Sequence, residues 1–309
     1  METTKTLDQQ ANASAQAYMG ALAWPTIIFA AAVFAAYLGT LALTFLGHLP
    51  LAIAIPLTAI LTYLTYTVLH ESAHGSITGS HKGLRWLNEA LGYMAAWIIM
   101  IPLTAHRHEH LAHHRHTNEP EADPDFAVSG LTRSPFHALW YATEVYVGQF
   151  TYYLRNRWHN APRKQNLYFC LETALIFAPR LALLASPYFL EALSLFGIAW
   201  LFGLSITVYL FAYLVHRPHE DSGRYVDTST ITTRSRRLNS IVTLLWVYQN
   251  YHSIHHLFPR VPFYQYPALF ADIAPIMEAK GAPFYELGIR GMQPLATRDS
   301  TDNDLSVTA

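Results

Sequence analysis

Leu51-Ala-Ile-Ala-Ile-Pro-Leu-Thr-Ala-Ile-Leu-Thr-Tyr-Leu-Thr-Tyr-Thr-Val-Leu-His70-Glu-Ser-Ala-His74 runs an uncharged apolar stretch straight into a pair of histidines. That junction decides the fold. No Asp, Glu, Lys or Arg occurs between Asp8 and Glu71, and the run from Ala21 to Leu69 is nearly continuous in Ala, Leu, Ile, Phe, Thr and Tyr. A bilayer core demands roughly 20 apolar residues per helix, so the run has room for two spans, residues 21–46 and 50–69. Gly47-His48-Leu49-Pro50 breaks them into a tight hairpin.

A second pair of spans occupies residues 167–188 and 191–215, with Ser186-Pro187 near the turn. Arg180 is the lone charge inside it. A charge in a span is costly, and snorkelling to an interface is the reading adopted for it, with packing against other helices or a place near the outer end as the alternative. Of the 20 Lys and Arg residues, Lys5 precedes the first hairpin, nine lie between the hairpins and nine follow the last span. Neither hairpin tip carries any. By the positive-inside rule both tips lie outside, and the N terminus, the histidine-rich segments and the C terminus are cytoplasmic.

The remaining composition closes off other classes. With 52% apolar residues, 13% charged and a formal net charge of −1, neither a nucleic-acid partner nor a disordered chain is indicated. Cys170 is the only cysteine, which excludes internal disulfides and Cys-based zinc sites. Met1 to Gln16 has no basic region leading into a short apolar core, so the first span is expected to be a retained anchor. Ala90 to His106 is another uncharged stretch, short and containing Pro102; it is expected as a re-entrant or interfacial helix feeding the second histidine word. Thr143 to Asn160 mixes aromatic residues with Arg155 and Arg157 and is expected as a helix on the membrane surface. The expectation is an all-α integral membrane protein: four transmembrane helices as two hairpins, with a cytoplasmic helical cap. Residues 1–297 form one domain and 298–309 a disordered tail.

Seventeen histidines are present, and they cluster. Besides His70-Glu-Ser-Ala-His74 there are two copies of one five-residue word, His110-Leu-Ala-His113-His114 and His252-Ser-Ile-His255-His256. Imidazoles at i, i+3 and i+4 project from one helix face, and imidazole suits Fe, Zn, Cu and Ni. One metal rarely takes more than about four protein ligands of this kind, so eight histidines imply two metals. His70-Glu71-Ser-Ala-His74 is also a literal zinc-protease word, but that reading leaves both H-x-x-H-H words without a task. A metal carrier would place its site near the bilayer midplane, whereas these histidines begin where the spans end.

The order H-x-x-x-H, H-x-x-H-H, H-x-x-H-H beside two hairpins resembles the membrane fatty acid desaturase superfamily, over His70 to about Pro267. The surroundings look most like its β-carotene ring hydroxylase type: His110-Leu-Ala-His-His-Arg-His-Thr-Asn-Glu-Pro-Glu-Ala-Asp-Pro-Asp125, Tyr213-Leu-Val-His-Arg-Pro218 and Asn250-Tyr-His-Ser-Ile-His-His-Leu-Phe-Pro-Arg-Val-Pro-Phe-Tyr264. The resemblance implies two Fe ions held by His70, His74, His110, His113, His114, His252, His255 and His256, with His216 as an additional ligand. Ala212 stands where the acyl-CoA branch has an Asn, so a water-mediated tenth ligand is absent or replaced. O2 is the implied co-substrate and an apolar lipid the substrate. Carotenoid ring hydroxylation leads; fatty-acyl desaturation and oxidative decarboxylation of a free fatty acid to a terminal alkene stay open.

Metal-bound histidines usually donate their second N–H to a carboxylate or carbonyl, a role for which Glu71, Asp123, Asp125 and Asn250 are candidates. A turn and helix cap is the competing reading of Asp123-Pro-Asp125. His219 is placed with them, and His106, His108 and His116 are open between direct ligation and hydrogen bonding; His48, His81, His137 and His159 are taken as ordinary. No G-x-G-x-x-G segment, haem domain or Fe–S cysteine cluster is present, so electrons are expected from an external donor such as ferredoxin, or a cytochrome with its reductase. Arg155, Arg157, Arg163 and Lys164 are candidates either to dock it or to touch lipid headgroups.

Overall fold

The computed structural model describes residues 6–295. The uncharged stretch folds as two long helices, α2 (Trp24–Phe45) and α3 (Leu51–His74), after a short N-terminal α1 (Leu7–Gln16). Gly47 turns the chain between them at φ +75°, a conformation open to glycine without steric penalty. The amides of His48 and Leu49 both donate to the Leu43 carbonyl, at 2.8 and 3.0 Å. A second hairpin pairs α7 (Arg163–Leu184) with α8 (Phe189–His216). All four helices are long and apolar enough to cross a membrane, and their outward residues, Ile28, Ile53, Leu175 and Phe202 among them, are apolar and exposed.

Two boundaries differ from the expectation in a way that matters for the site. α3 runs unbroken through His70 and His74 to Gly75, so the first word is the last turn of a span. α7 begins at Arg163 rather than at 167. α8 takes the wider π form over residues 194–199 and 208–213, an irregularity that accompanies functional sites. The two hairpins meet closely. A Cβ at Gly203 would lie 2.6 Å from the Ala59 carbonyl oxygen and 2.7 Å from Thr62 Cβ, so only glycine lets α8 approach α3 here.

Between the hairpins, α4 (Arg85–Ile99) and α5 (Leu103–His116) bend by 94° at a short break. A break within an apolar layer frees carbonyls that lipid cannot satisfy. Three helices supply donors instead: Arg180 Nη2 from α7 to the Trp97 carbonyl (2.6 Å), Trp200 Nε1 from α8 to Ile99 (2.7 Å) and the Tyr146 hydroxyl to Met100 (2.9 Å). Glu172 of α7 accepts a free amide of the first turn of α5, Thr104 N, at 3.0 Å. The second histidine word is therefore clamped at its root by long-range contacts.

Arg180 consequently does not snorkel. It is buried, with its guanidinium over Trp97 (4.3 Å) and Phe196 (4.9 Å), because an unpaired helix end in the bundle offers better acceptors than a distant interface. The Thr143 to Asn160 stretch is also more than a surface helix. It forms the end of α6 (Pro135–Tyr152) and a wider turn over Tyr153–Arg157. Tyr153 is fully buried and stacks on Phe169 at 4.7 Å, so this segment turns aromatic residues inward.

The rest of the cap comprises α9 (Arg236–Leu245), α10 (His252–Leu257) and α11 (Tyr266–Ala279). It also contains a small sheet that the all-helical reading did not foresee. β1 (Thr230–Thr232) runs parallel to β2 (Phe284–Gly288), which pairs antiparallel with β3 (Gly291–Pro294). The N-terminal helix is clasped onto this cap by Tyr18 to Asp272 (2.6 Å), Tyr225 to Asp8 (2.8 Å) and Lys280 to Asp8 (3.1 Å). The tail expected from residue 298 lies outside the described residues.

Candidate metal centre

Three short helical segments and one helix end bring the histidines together. His70 and His74 occupy the last turns of α3, His110, His113 and His114 the second half of α5, and His216 the end of α8. His252, His255 and His256 fill α10, a six-residue helix entered through Val247 and Tyr248 at positive φ. That entry lets a helix start beneath the bundle. All nine expected ligands meet there, six of them fully buried.

They form two adjoining groups. In the first, His70, His74, His110, His114 and His255 each offer a nitrogen within 4.8 Å of the others. The Nε2 atoms of His74, His110, His114 and His255 follow one another at 2.8, 3.1 and 2.8 Å. In the second, His113, His216 and His256 meet by the same measure. The ring of His252 lies 5.0 Å from that of His216 and 4.7 Å from that of His256, between centroids.

Do these residues suit metal ions? Both nitrogens of His70, Nδ1 of His216 and Nε2 of His256 are buried with no protein partner, and such atoms are costly unless something else satisfies them. Burial, followed by the neighbouring imidazoles, holds His252, His255 and His256 well below the usual histidine range. They are neutral and carry lone pairs, the form that ligates a metal. An all-nitrogen donor set of this kind fits iron.

The outer nitrogens are pinned. Asp123 Oδ1 accepts from His113 Nδ1 at 2.8 Å, Gln249 Oε1 from His252 Nδ1 at 2.9 Å, and the Tyr266 hydroxyl oxygen from His255 Nδ1 at 3.0 Å. Each contact fixes the ring plane and turns Nε2 inward. Asp123 also caps its own turn, accepting from the amides of Asn118 (2.8 Å) and Asp125 (2.9 Å), so both readings of Asp123-Pro-Asp125 hold for that residue. Asp125 stands 3.9 Å from His113 Nδ1, beyond hydrogen-bonding range.

Three sequence candidates are placed differently. Glu71 accepts from Thr26 Oγ1 and the Phe263 amide, both at 3.0 Å. It faces away from the rings because on a helix i and i+1 point in different directions, and it ties α2 and the third-word loop to α3. Asn250 donates to the Ile231 carbonyl (2.9 Å) and Thr243 (3.1 Å), fixing β1 and α9. His219 stacks on Tyr213 at 5.4 Å, and its ring centroid is 6.5 Å from His216.

Of the open histidines, His106 is buried and stacked on His110 at 5.2 Å, with Nδ1 3.0 Å from Gln149 Oε1. His108 contacts Gln165, and exposed His116 pairs with Glu119 at 3.0 Å. None of the three belongs to either ligand group. Gln249 had a signal, its i−3 position to His252; Tyr266, on another helix, had none.

A small cavity of about 20 Å³ lies between the two groups, lined by Tyr66, Phe211, Ala212, Asp125 and five of the histidines. It is large enough for one water-sized molecule. Tyr66 and Phe211 meet edge to face at 4.9 Å and give it an aromatic wall.

Comparison with known proteins agrees with this geometry. The fatty acid desaturase family model matches residues 46–288. The chain is 29% identical to a beta-carotene ketolase of a Paracoccus species over 237 residues, 70% of this chain and 81% of that one. It is 24% identical over 226 residues to an sn-2 acyl-lipid omega-3 desaturase (ferredoxin) of Helianthus annuus, 63% of this chain and 49% of that one. A dihydrorhizobitoxine desaturase of Bradyrhizobium elkanii is 26% identical over 219 residues, 64% and 60% of the two chains.

Proposed function

Because this chain belongs to the fatty acid desaturase family, we propose that it is a membrane oxidoreductase using two histidine-held iron ions and O2 to oxidise a C–H bond of an apolar lipid, with a carotenoid ring as leading substrate. The observation that carries the reading is the convergence of nine imidazoles on two adjoining groups around one aromatic-walled cavity. One ion would be held by His70, His74, His110, His114 and His255, the other by His113, His216, His252 and His256. Bound there, the pair supplies reduction of O2 and removal of hydrogen from an unactivated C–H bond.

The chain's own part is orientation and exclusion. Asp123, Gln249 and Tyr266 keep the Nδ1 protons outward so that lone pairs face in. Tyr66 and Phe211 close the space against water, and Ala212 leaves room on the α8 side. Placement of the substrate carbon within about an ångström selects alcohol or alkene as product. The histidine words and both termini lie on the cytoplasmic side in this reading, as the Lys/Arg distribution requires. Electrons come from a separate protein, a ferredoxin or a cytochrome with its reductase; the Helianthus relative carries ferredoxin in its name.

Ring oxygenation is favoured by similarity to a beta-carotene ketolase, since a ketone arises by oxidising a ring carbon that has first been hydroxylated. Acyl desaturation is the second reading, supported by similarity to the omega-3 desaturase. The test is expression with a donor system in cells that make β-carotene, followed by lipid analysis. Hydroxylated carotenoid is the expected product; unchanged carotenoid with new acyl double bonds would transfer the assignment to desaturation, and terminal alkenes to decarboxylation. His113→Ala and His256→Ala should each abolish turnover and lower bound iron, and full activity in both would refute the ligand set.

A further inference from the structure

A polar cleft of about 460 Å³ opens beside the histidine cluster, and its wall includes His74. The rest of the lining comes from the end of α3 and the turn after it (residues 72, 73, 75, 78 and 79), from Asn88 and Glu89 of α4, and from Arg85, Arg107 and Arg260. Three arginines from three separate parts of the chain therefore converge on one concavity. Arg107 is partly neutralised, by Glu89 at 2.8 Å and the Ser72 carbonyl at 3.2 Å. Arg85 and Arg260 are exposed and have no carboxylate within ion-pair distance among the described residues. Two unpaired guanidinium groups thus flank a cleft whose one acid is already engaged.

His74 is what distinguishes this basic patch from the other. Six of the nine histidines are fully buried, while His74, His114 and His256 are only partly so, and His74 is the one that lines this cleft. Its Nε2 lies in the first histidine group, 2.8 Å from His110 Nε2, while the same residue lines the cleft. Arg155, Arg157, Arg163 and Lys164, the other basic cluster, are not among the residues that line this cleft.

Resting on the proposed oxygenase reading, we infer that this cleft is the dock for an acidic one-electron donor protein, whose carboxylates meet Arg85 and Arg260 and whose electrons enter through His74. The electron count requires such visits. Conversion of C–H and O2 to C–OH and water takes up two electrons and two protons beyond those of the substrate, so a one-electron donor must dock twice per turnover. Opposed charge raises the encounter rate of two proteins and makes it fall with added salt. A cationic rim beside His74 brings the donor to a residue whose Nε2 lies within the first group of histidines.

The test uses the full-length, iron-loaded protein in lipid nanodiscs, with a plant-type [2Fe–2S] ferredoxin as probe. Binding of the oxidised ferredoxin is measured from low to high salt, alongside the ferredoxin KM and the lipid KM. Arg85→Glu with Arg260→Glu should raise the ferredoxin Kd at least about tenfold at low ionic strength and flatten its salt dependence. Iron content and dithionite-driven oxidation should stay as in the parent. Equal loss of ferredoxin binding in Arg155→Glu with Arg163→Glu would move the dock to the other patch and overturn the inference. So would unchanged ferredoxin binding with a raised lipid KM, which would make the cleft a seat for an anionic group of the substrate. A parent protein that holds iron poorly or fails with dithionite would instead refute the oxygenase reading, so the two failures are separable.

Discussion

Tyr266 shows how a single hydroxyl bears on the candidate metal centre. Its oxygen accepts from His255 Nδ1 at 3.0 Å, and the ring itself is fully buried. Tyr266→Phe keeps the packing and removes the acceptor, so iron affinity should fall by about 10–100-fold, the usual effect of deleting such a partner. Competition with a chelator measures this, and a parent-like affinity would mean that the hydroxyl does not position the ring. Asn250 makes the contrast. Because it bonds the Ile231 carbonyl and Thr243 rather than a histidine, Asn250→Ala should lower the melting temperature while leaving iron affinity of the folded protein unchanged. Of the residues read from sequence as supports for the rings, only Asp123 makes that contact. Glu71 and Asn250 have the right chemistry and the wrong direction, which spacing alone does not reveal.

At the scale of elements, the bend between α4 and α5 carries the second histidine word, and its free carbonyls are met by side chains far away in sequence. Trp200 Nε1 donates to Ile99 at 2.7 Å. Trp200→Phe retains an aromatic ring but leaves that carbonyl unsatisfied, which costs about 1–3 kcal/mol. The expected result is a lower melting temperature with less iron retained, since the root of α5 is loosened; a variant melting with the parent would show that the break does not depend on this donor. Gly203 poses a steric counterpart. Gly203→Val would force a side chain against the Ala59 carbonyl and should destabilise by about 1–3 kcal/mol, as overpacking does. Neither position could be singled out from hydropathy, because both needs arise from which helix lies opposite.

For the molecule as a whole, sidedness is the property with a direct test. Cys170 is the sole cysteine, so Cys170→Ser provides a blank background. His48→Cys at the tip of the first hairpin should react with an impermeant maleimide added outside intact cells, and a cysteine at exposed Arg260 only after permeabilisation. The opposite pattern would invert the topology and remove the histidine words from the cytoplasm. The clasp through Asp8, Tyr225 and Lys280 holds α1 against the cap that carries the third histidine word.

The sequence by itself determined the four apolar helices, their pairing into hairpins and the eight histidines of the three words, because each is written locally: hydropathy over about 20 residues suffices for a span, and i, i+3, i+4 spacing for one helix face. His216, outside any word, was reached only through the family resemblance. Tertiary structure alone decided which nitrogens share a group, which side chains hold the rings, why Arg180 is buried, and where a basic cleft reaches His74. Those depend on contacts between segments distant in the chain, as between Tyr266 and His255 or Trp200 and Ile99. No local pattern encodes the direction from which such a partner arrives.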